Sequence, residues 1–134
     1  MVKTLYLVRH GKSDWTDFNA KDFDRTLNAK GNAHALEMAE RMKIKGLNFD
    51  YFLSSSAVRA LSTAKIFAKV FEFENIVSDK NLYESSPETI LNVINKINDN
   101  YNSVILFGHN PGLTLLSNEL CDANIYNLPT AGVV

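Results

Sequence analysis

Short runs of apolar residues alternate along this chain with longer stretches in which apolar residues recur every three or four positions. Leu5 to Val8 is continuously apolar, the pattern of a strand covered on both faces. It ends abruptly in Arg9-His10-Gly11, and a polar stretch from Lys12 to Asp24, rich in Asp and aromatic residues, reads as a loop. A helix is expected from about Asn28, with Ala29, Ala33, Leu36 and Ala39 on one face and Gly46 as its stop. Asp50 to Ser54 is a second short strand. Ser55 and Ser56 offer caps for a second helix, whose apolar stripe is Ala57, Leu61, Ala64, Ala68 and Phe71. Ile76 to Ser78 is a weak strand, followed by a loop through Leu82-Tyr83-Glu84. Ser86-Pro87-Glu88 has a cap, a first-position proline and a first-turn acid, and Ile90, Ile94 and Ile97 line the helix that follows. Val104 to Phe107 repeats the first strand and leads into Gly108-His109-Asn110-Pro111. Asn110 is expected to cap, and Pro111 to open, a short helix to about Leu120, with a last apolar segment beginning near Thr130.

Strands alternating with helices imply an α/β fold: a three-layer α/β/α sandwich with a mostly parallel central sheet. The 134 residues suit one domain over 1–134, with no repeat, low-complexity tract or linker. The sequence stops at Ala131-Gly132-Val133-Val134, inside a predicted strand, so the natural C-terminal end of the domain is expected beyond Val134.

Composition narrows the function. The 14 basic and 15 acidic residues leave a net charge of −1, which disfavours a broad nucleic-acid or anionic-membrane surface. Any anion site must be a local cluster. No apolar run approaches the ~20 residues of a membrane span. Met1 to Val8 reads as the start of strand one, without a signal-peptide cleavage site. The single cysteine, Cys121, cannot form an internal disulfide and fits a reducing cytoplasm.

In open α/β sheets, sites form at the carboxyl ends of the strands. Four such ends carry polar residues here: Arg9-His10, Ser54 to Arg59, Tyr83-Glu84 and Gly108-His109. A guanidinium binds phosphate oxygens in a planar fork, and a neutral imidazole can attack phosphorus. His10 is therefore the candidate nucleophile and Arg9 a phosphate clamp. Arg59 lies in the first turn of its helix, where its charge opposes the helix dipole, a placement that makes sense if an anion docks there. His109 precedes a helix start with free backbone N–H groups and is expected to contact phosphate and stabilise transition-state charge. Glu84 is either an exposed loop carboxylate or the general acid that protonates the leaving group. Gly11 permits close backbone approach. Lys12, Ser13, Asp14 and Trp15 are expected at the mouth of the site, and His34 on the surface. Two arginines in one pocket would repel a metal cation, and no HxH, HExxH or CxxC spacing occurs. There is no GxGxxG and no Walker loop either.

The ordered set of motifs resembles the histidine phosphatase, or phosphoglycerate mutase-like, superfamily. Within it the SixA-type phosphohistidine phosphatases are the nearest pattern. Arg9-His10-Gly11-Lys12-Ser13-Asp14-Trp15 resembles their N-terminal block. Asp24-Arg25-Thr26-Leu27-Asn28-Ala29-Lys30-Gly31 resembles DRPLxxxG, with Thr26 where proline is usual. Ser54 to Ala64 resembles SSPAxRAxxTA, again without the proline, and Gly108-His109-Asn110-Pro111 and Leu128 to Gly132 resemble the later blocks. The resemblance implies a phosphoglycerate mutase-like fold, His10 as the phosphorylated nucleophile, and Arg9, Arg59 and His109 as the phosphate pocket, with Gly11 and Ser13 bordering it. It leaves Glu84 open.

The expected activity is a cofactor-free, metal-independent phosphatase acting through a phosphohistidine on His10, with a phosphorylated protein or small phosphorylated molecule as partner. A cytoplasmic monomer is expected, with protein phosphohistidine as the inferred substrate. The alternatives are a small-molecule phosphomonoesterase, a mutase of the same superfamily, or a non-catalytic phosphoprotein-binding module. The short segment between Arg59 and Glu84 leaves no room for a substrate-enclosing insertion and favours hydrolysis.

Overall fold

The computed structural model describes residues 4–16, 19–121 and 128–134. Met1 to Lys3, the start of the stretch read above as strand one, lie outside the described residues. Strand β1 is Thr4–Arg9, followed by a 3₁₀ turn at Asp22–Asp24 and helix α1 at Ala29–Ile44. Next come β2 (Tyr51–Ser55), α2 (Val58–Val70), β3 (Ile76–Asp79) and a second 3₁₀ turn at Lys80–Leu82. The chain then runs through α3 (Pro87–Asn95), β4 (Ser103–Gly108) and α4 (Gly112–Leu120).

The four strands pair in parallel in the order β1-β4-β2-β3. Side chains of a strand alternate between faces, and that alternation builds two cores. Val8, Phe52, Ile105 and Phe107 point toward α1 and α2, packing with Ala35, Ala39, Met42, Ala64 and Phe67. Leu7, Leu53 and Leu106 point the other way, onto Ile90 of α3 and Leu113 and Leu116 of α4. The result is the three-layer α/β/α sandwich that the alternation predicts. The chain crosses the sheet from β1 to β2 to β3, then reverses and inserts β4 between β1 and β2. Register is level at the carboxyl edge, with Arg9 opposite Gly108 and Ser54 opposite Phe107.

Several local expectations are corrected. The buried face of α1 is Gly31, Ala35, Ala39 and Met42, whereas Ala29, Ala33 and Leu36 are exposed. Both stripes have helical spacing, and a long-range contact chooses between them. Gly31 lies so close to the loop after β1 that a Cβ there would stand 2.2 Å from the Lys12 carbonyl oxygen. On α2 the inward face is Ala60, Thr63, Ala64, Phe67 and Ala68 together with Arg59, and Leu61 and Phe71 are only half-buried. That helix has no side-chain cap, because Ala57 stands at the cap position and carries no side-chain acceptor. Helix α4 starts one residue later than Pro111, yet Asn110 still serves it, accepting from the Thr114 N–H at 3.2 Å. Helix α3 ends before Ile97.

Other signals hold. Asn28 caps α1 by accepting from the Gly31 N–H, and Gly46 follows its end at φ +79°, a left-handed conformation suited to glycine. Ser86 caps α3 through the Thr89 N–H. The last segment, Ala131 to Val134, runs antiparallel along the free edge of β1. Leu7 N–H donates to Val134 at 2.8 Å, Val134 N–H donates back at 3.0 Å, and Arg9 N–H donates to Gly132 at 3.1 Å. The sheet is thus parallel apart from this edge. No helix among the described residues is long and apolar enough to cross a membrane.

Candidate active site

Three adjacent strands, β1, β4 and β2, deliver residues to one rim. The tip of β1 carries Arg9 and leads into His10, and the tip of β4 leads into His109. The tip of β2 ends in Ser55, and Arg59 enters two residues into α2. His10, Arg59 and His109 are each only 8% exposed, so they meet in a largely water-excluded place. The two imidazole rings lie 5.1 Å apart.

His10 is oriented by its own loop. Its Nδ1 lies 2.6 Å from the Gly11 carbonyl oxygen, which can only accept, so the proton belongs on Nδ1. That leaves the Nε2 lone pair facing Arg59, whose Nε–H donates to it at 3.3 Å. Burial pushes the imidazole pKa down to about 4; the Gly11 carbonyl and Asp22 oppose this, and Arg59 and Arg9 reinforce it. The ring is neutral at pH 7, the form that can attack.

His109 is held from the side. Its Nε2 is 2.8 Å from the Ser55 hydroxyl, which also accepts from the Ala57 N–H at 3.2 Å. Burial first, then the neighbouring His10 and Arg59, push its pKa down to about 3. Its buried Nδ1 has no hydrogen-bond partner, and neither does the buried Nε of Arg9. Arg9 Nη1 donates to the Leu128 carbonyl at 3.0 Å. Two orphaned polar nitrogens near His10 mark an unmet hydrogen-bonding demand of the kind an oxyanion satisfies.

Gly11 is held in a tight junction. Its N–H donates to Thr63 Oγ1 at 3.1 Å, and a Cβ there would stand 2.8 Å from the Gly31 carbonyl oxygen. Thr63 in turn donates to the Arg59 carbonyl at 2.8 Å. One hydroxyl therefore ties the nucleophile loop to the helix that carries Arg59. Ser13 is buried, and its backbone forms a bridge to Leu27 while its carbonyl accepts from Asn28.

Glu84 stands apart. It is exposed and adopts φ 49°. Its neighbour Tyr83 is in the site instead, its ring edge-on to His109 at 5.5 Å. Lys12 and Trp15 are exposed and Asp14 is half-buried, with the Arg25 guanidinium 3.9 Å over the indole of Trp15. His34 is on the surface.

Sequence reasoning missed Asp22, whose backbone carbonyl and carboxylate both accept from Arg59. The sequence signal was only a loop with several aspartates, any of which could turn inward. Ser55 was read as a cap within the Ser54–Arg59 stretch, and Thr63 was given no role beyond its place in the Ser54–Ala64 motif; the hydrogen bonds of their hydroxyls are visible only in the folded chain. Among the described residues no three His, Cys, Asp or Glu side chains group as metal ligands.

A buried neutral imidazole near two guanidiniums at the carboxyl edge of a parallel sheet is an arrangement suited to a tetrahedral oxyanion. The chain belongs to the histidine phosphatase superfamily (branch 1), whose family model matches residues 5–102. It is similar to the crystal structure of a candidate phosphohistidine phosphatase SixA from Agrobacterium tumefaciens, with TM-score 0.86 and 32% identity. That match covers 99% of this chain and 90% of the other. An uncharacterised chloroplast protein of Arabidopsis thaliana is 28% identical over 133 residues, covering 92% of this chain and 61% of that protein. A 2,3-bisphosphoglycerate-dependent phosphoglycerate mutase of Hamiltonella defensa is 33% identical over 81 residues, covering 59% and 32%. The chain thus spans between about a third and three fifths of the length of these two curated relatives.

Proposed function

We propose that this chain is a metal-independent phosphatase that hydrolyses a phosphoryl group through a phosphohistidine on His10, acting on protein phosphohistidine. The observation that carries the reading is the tautomer of His10: the Gly11 carbonyl holds the proton on Nδ1 and leaves Nε2 as a lone pair beside Arg59. In the first step Nε2 attacks phosphorus in line. The P–N bond to His10 forms as the bond to the leaving nitrogen or oxygen breaks, and the leaving atom takes up a proton. Arg9, Arg59 and His109 bind the equatorial oxygens and offset their charge. Glu84 is our proposed proton donor, by its place beside Tyr83. In the second step water attacks the phosphorus, the P–N bond to His10 breaks, and the water gives up a proton that recharges the donor spent in the first step, so that inorganic phosphate leaves and neutral His10 is restored. Guanidinium charge does the work that a metal does in other phosphoryl-transfer sites.

The substrate assignment is supported by the likeness to the Agrobacterium SixA structure and by the short connection between α2 and α3. That connection holds only β3 and one 3₁₀ turn, with no substrate-enclosing insertion in it. The test compares turnover of a phosphohistidine-bearing protein, a small phosphomonoester and 3-phosphoglycerate. Preference for the phosphoprotein with release of inorganic phosphate is expected. Isomerisation of phosphoglycerate would overturn the reading in favour of a mutase, and a His10→Ala protein with full activity would sink the covalent mechanism.

A further inference from the structure

Asp22 sits outside every motif that carried the proposed function, yet its backbone carbonyl and its carboxylate both accept from the Arg59 guanidinium. Arg59 Nη1 donates to the Asp22 backbone carbonyl at 2.5 Å, and Nη2 donates to its carboxylate Oδ2 at 3.0 Å. The Tyr83 hydroxyl donates to the same Oδ2. Phe23, next in the 3₁₀ turn, meets the Tyr83 ring edge-on at 5.1 Å, and the Arg59 guanidinium carbon lies 5.8 Å over that ring. On its inner side the same guanidinium reaches His10 Nε2. Arg59 is thus gripped on its outer flank by two elements remote in sequence, the Asp22 turn and the loop after β3, and aimed by that grip at the attacking nitrogen.

We propose that Asp22 and Tyr83 are positioning residues for phosphoryl transfer, fixing the Arg59 guanidinium over His10 Nε2 in the orientation the transition state requires. The proposal rests on the phosphohistidine reading above. A free arginine side chain samples many rotamers, and holding it still before the reaction removes that cost from the barrier. Tyr83 fixes which way the carboxylate lone pairs point, and Arg25 Nε, 3.7 Å from Oδ1, steadies the other oxygen. The Tyr83 hydrogen bond, and then Arg59, also hold the Asp22 carboxyl below the usual carboxylate range, so the grip is charged at neutral pH.

Asp22→Asn keeps the shape and removes the charge, and Tyr83→Phe removes only the hydroxyl. Each is measured with para-nitrophenyl phosphate for kcat and KM, with inorganic vanadate as a mimic of the five-coordinate transition state, and with inorganic phosphate as a ground-state ligand. Loss of positioning is expected to lower kcat about tenfold for Tyr83→Phe and more for Asp22→Asn. KM should stay within about twofold, and the vanadate affinity should fall in step with kcat while the phosphate affinity holds. A purely structural staple would lower the melting temperature or the folded fraction and leave the ratio of vanadate to phosphate affinity at the wild-type value. Wild-type kcat and ratio in both variants, or an unchanged ratio in folded variants of low activity, overturns the proposal. If the wild-type protein itself forms no acid-labile phosphoryl adduct on His10, the phosphohistidine reading fails instead, and the two failures are read separately.

Discussion

At the residue scale, burial keeps the His10 imidazole neutral. With its pKa pushed down to about 4, His10 is unprotonated throughout the physiological range. A lowered imidazole pKa means that activity is present above the shifted value and lost as pH falls through it. We expect kcat/KM to hold from neutrality to about pH 5 and to decline below about 4, after correction for the second ionisation of the substrate phosphate near 6. An acid limb near 6.5 would mean that the ring is solvated. Glu84 gives a second test. If it protonates the leaving group, Glu84→Gln should slow hydrolysis of an alkyl phosphate, whose leaving group is a poor one, at least tenfold and spare an activated aryl phosphate. Equal effects on the two would assign the proton elsewhere. His10, Arg9 and His109 were legible in the sequence because each sits where an apolar run stops, a signal needing no three-dimensional knowledge. Asp22 was not, because a loop carries no period, and only the folded chain says which aspartate meets Arg59.

At the scale of elements, the site depends on how closely α1 approaches the loop after β1. Gly31 and Gly11 face each other there with no room for a side chain. Gly31→Ala would drive a methyl group into the Lys12 backbone, and a loss of about 1–3 kcal/mol is expected, read from the urea midpoint, with a fall in kcat because the displaced backbone adjoins His10. Gly46→Ala, at φ +79° in open space, should cost about 1 kcal/mol and leave kcat unchanged. Equal activity losses in the two would show that the effect is one of stability alone. The choice of buried stripe on α1 was not legible for the same reason. Two sets of small residues had helical spacing, and the deciding contact was a backbone nearly twenty residues away.

At the scale of the whole molecule, the strand and helix order was readable almost throughout, since strands buried on both faces are unbroken apolar runs and the helices are amphipathic. The residues of the site were gathered by strand order, which the sequence left unspecified: β4 lies between β1 and β2, so His109 arrives between His10 and Ser55. Gathering two neutral imidazoles has a thermodynamic consequence. In the unfolded chain each takes up a proton below its ordinary pKa of about 6.5. In the folded protein His10 resists until about pH 4 and His109 until about pH 3. The unfolded state therefore binds more protons in that window, and stability must fall as pH drops from about 6.5 toward 4. The expected slope approaches about 1.4 kcal/mol per pH unit for each histidine, measurable by urea unfolding at stepped pH. His10→Ala should flatten it by roughly half, and an unaltered slope would mean that His10 is not the group responsible.

The edge pairing of Ala131 to Val134 with β1 has a bearing on how the protein is made. Ala131 N–H lies 3.0 Å from the Arg9 carbonyl and 3.1 Å from that of His10, and Arg9 reaches the carbonyl of Leu128. The backbone of the nucleophile is therefore completed by residues synthesised more than a hundred positions after it. A ribosome-bound chain that has emerged only through α4 owns both imidazoles and both guanidiniums but has not yet closed the strand that aims one of them. The geometry of the site is therefore expected to be complete only once residues 128–134 have joined the first strand.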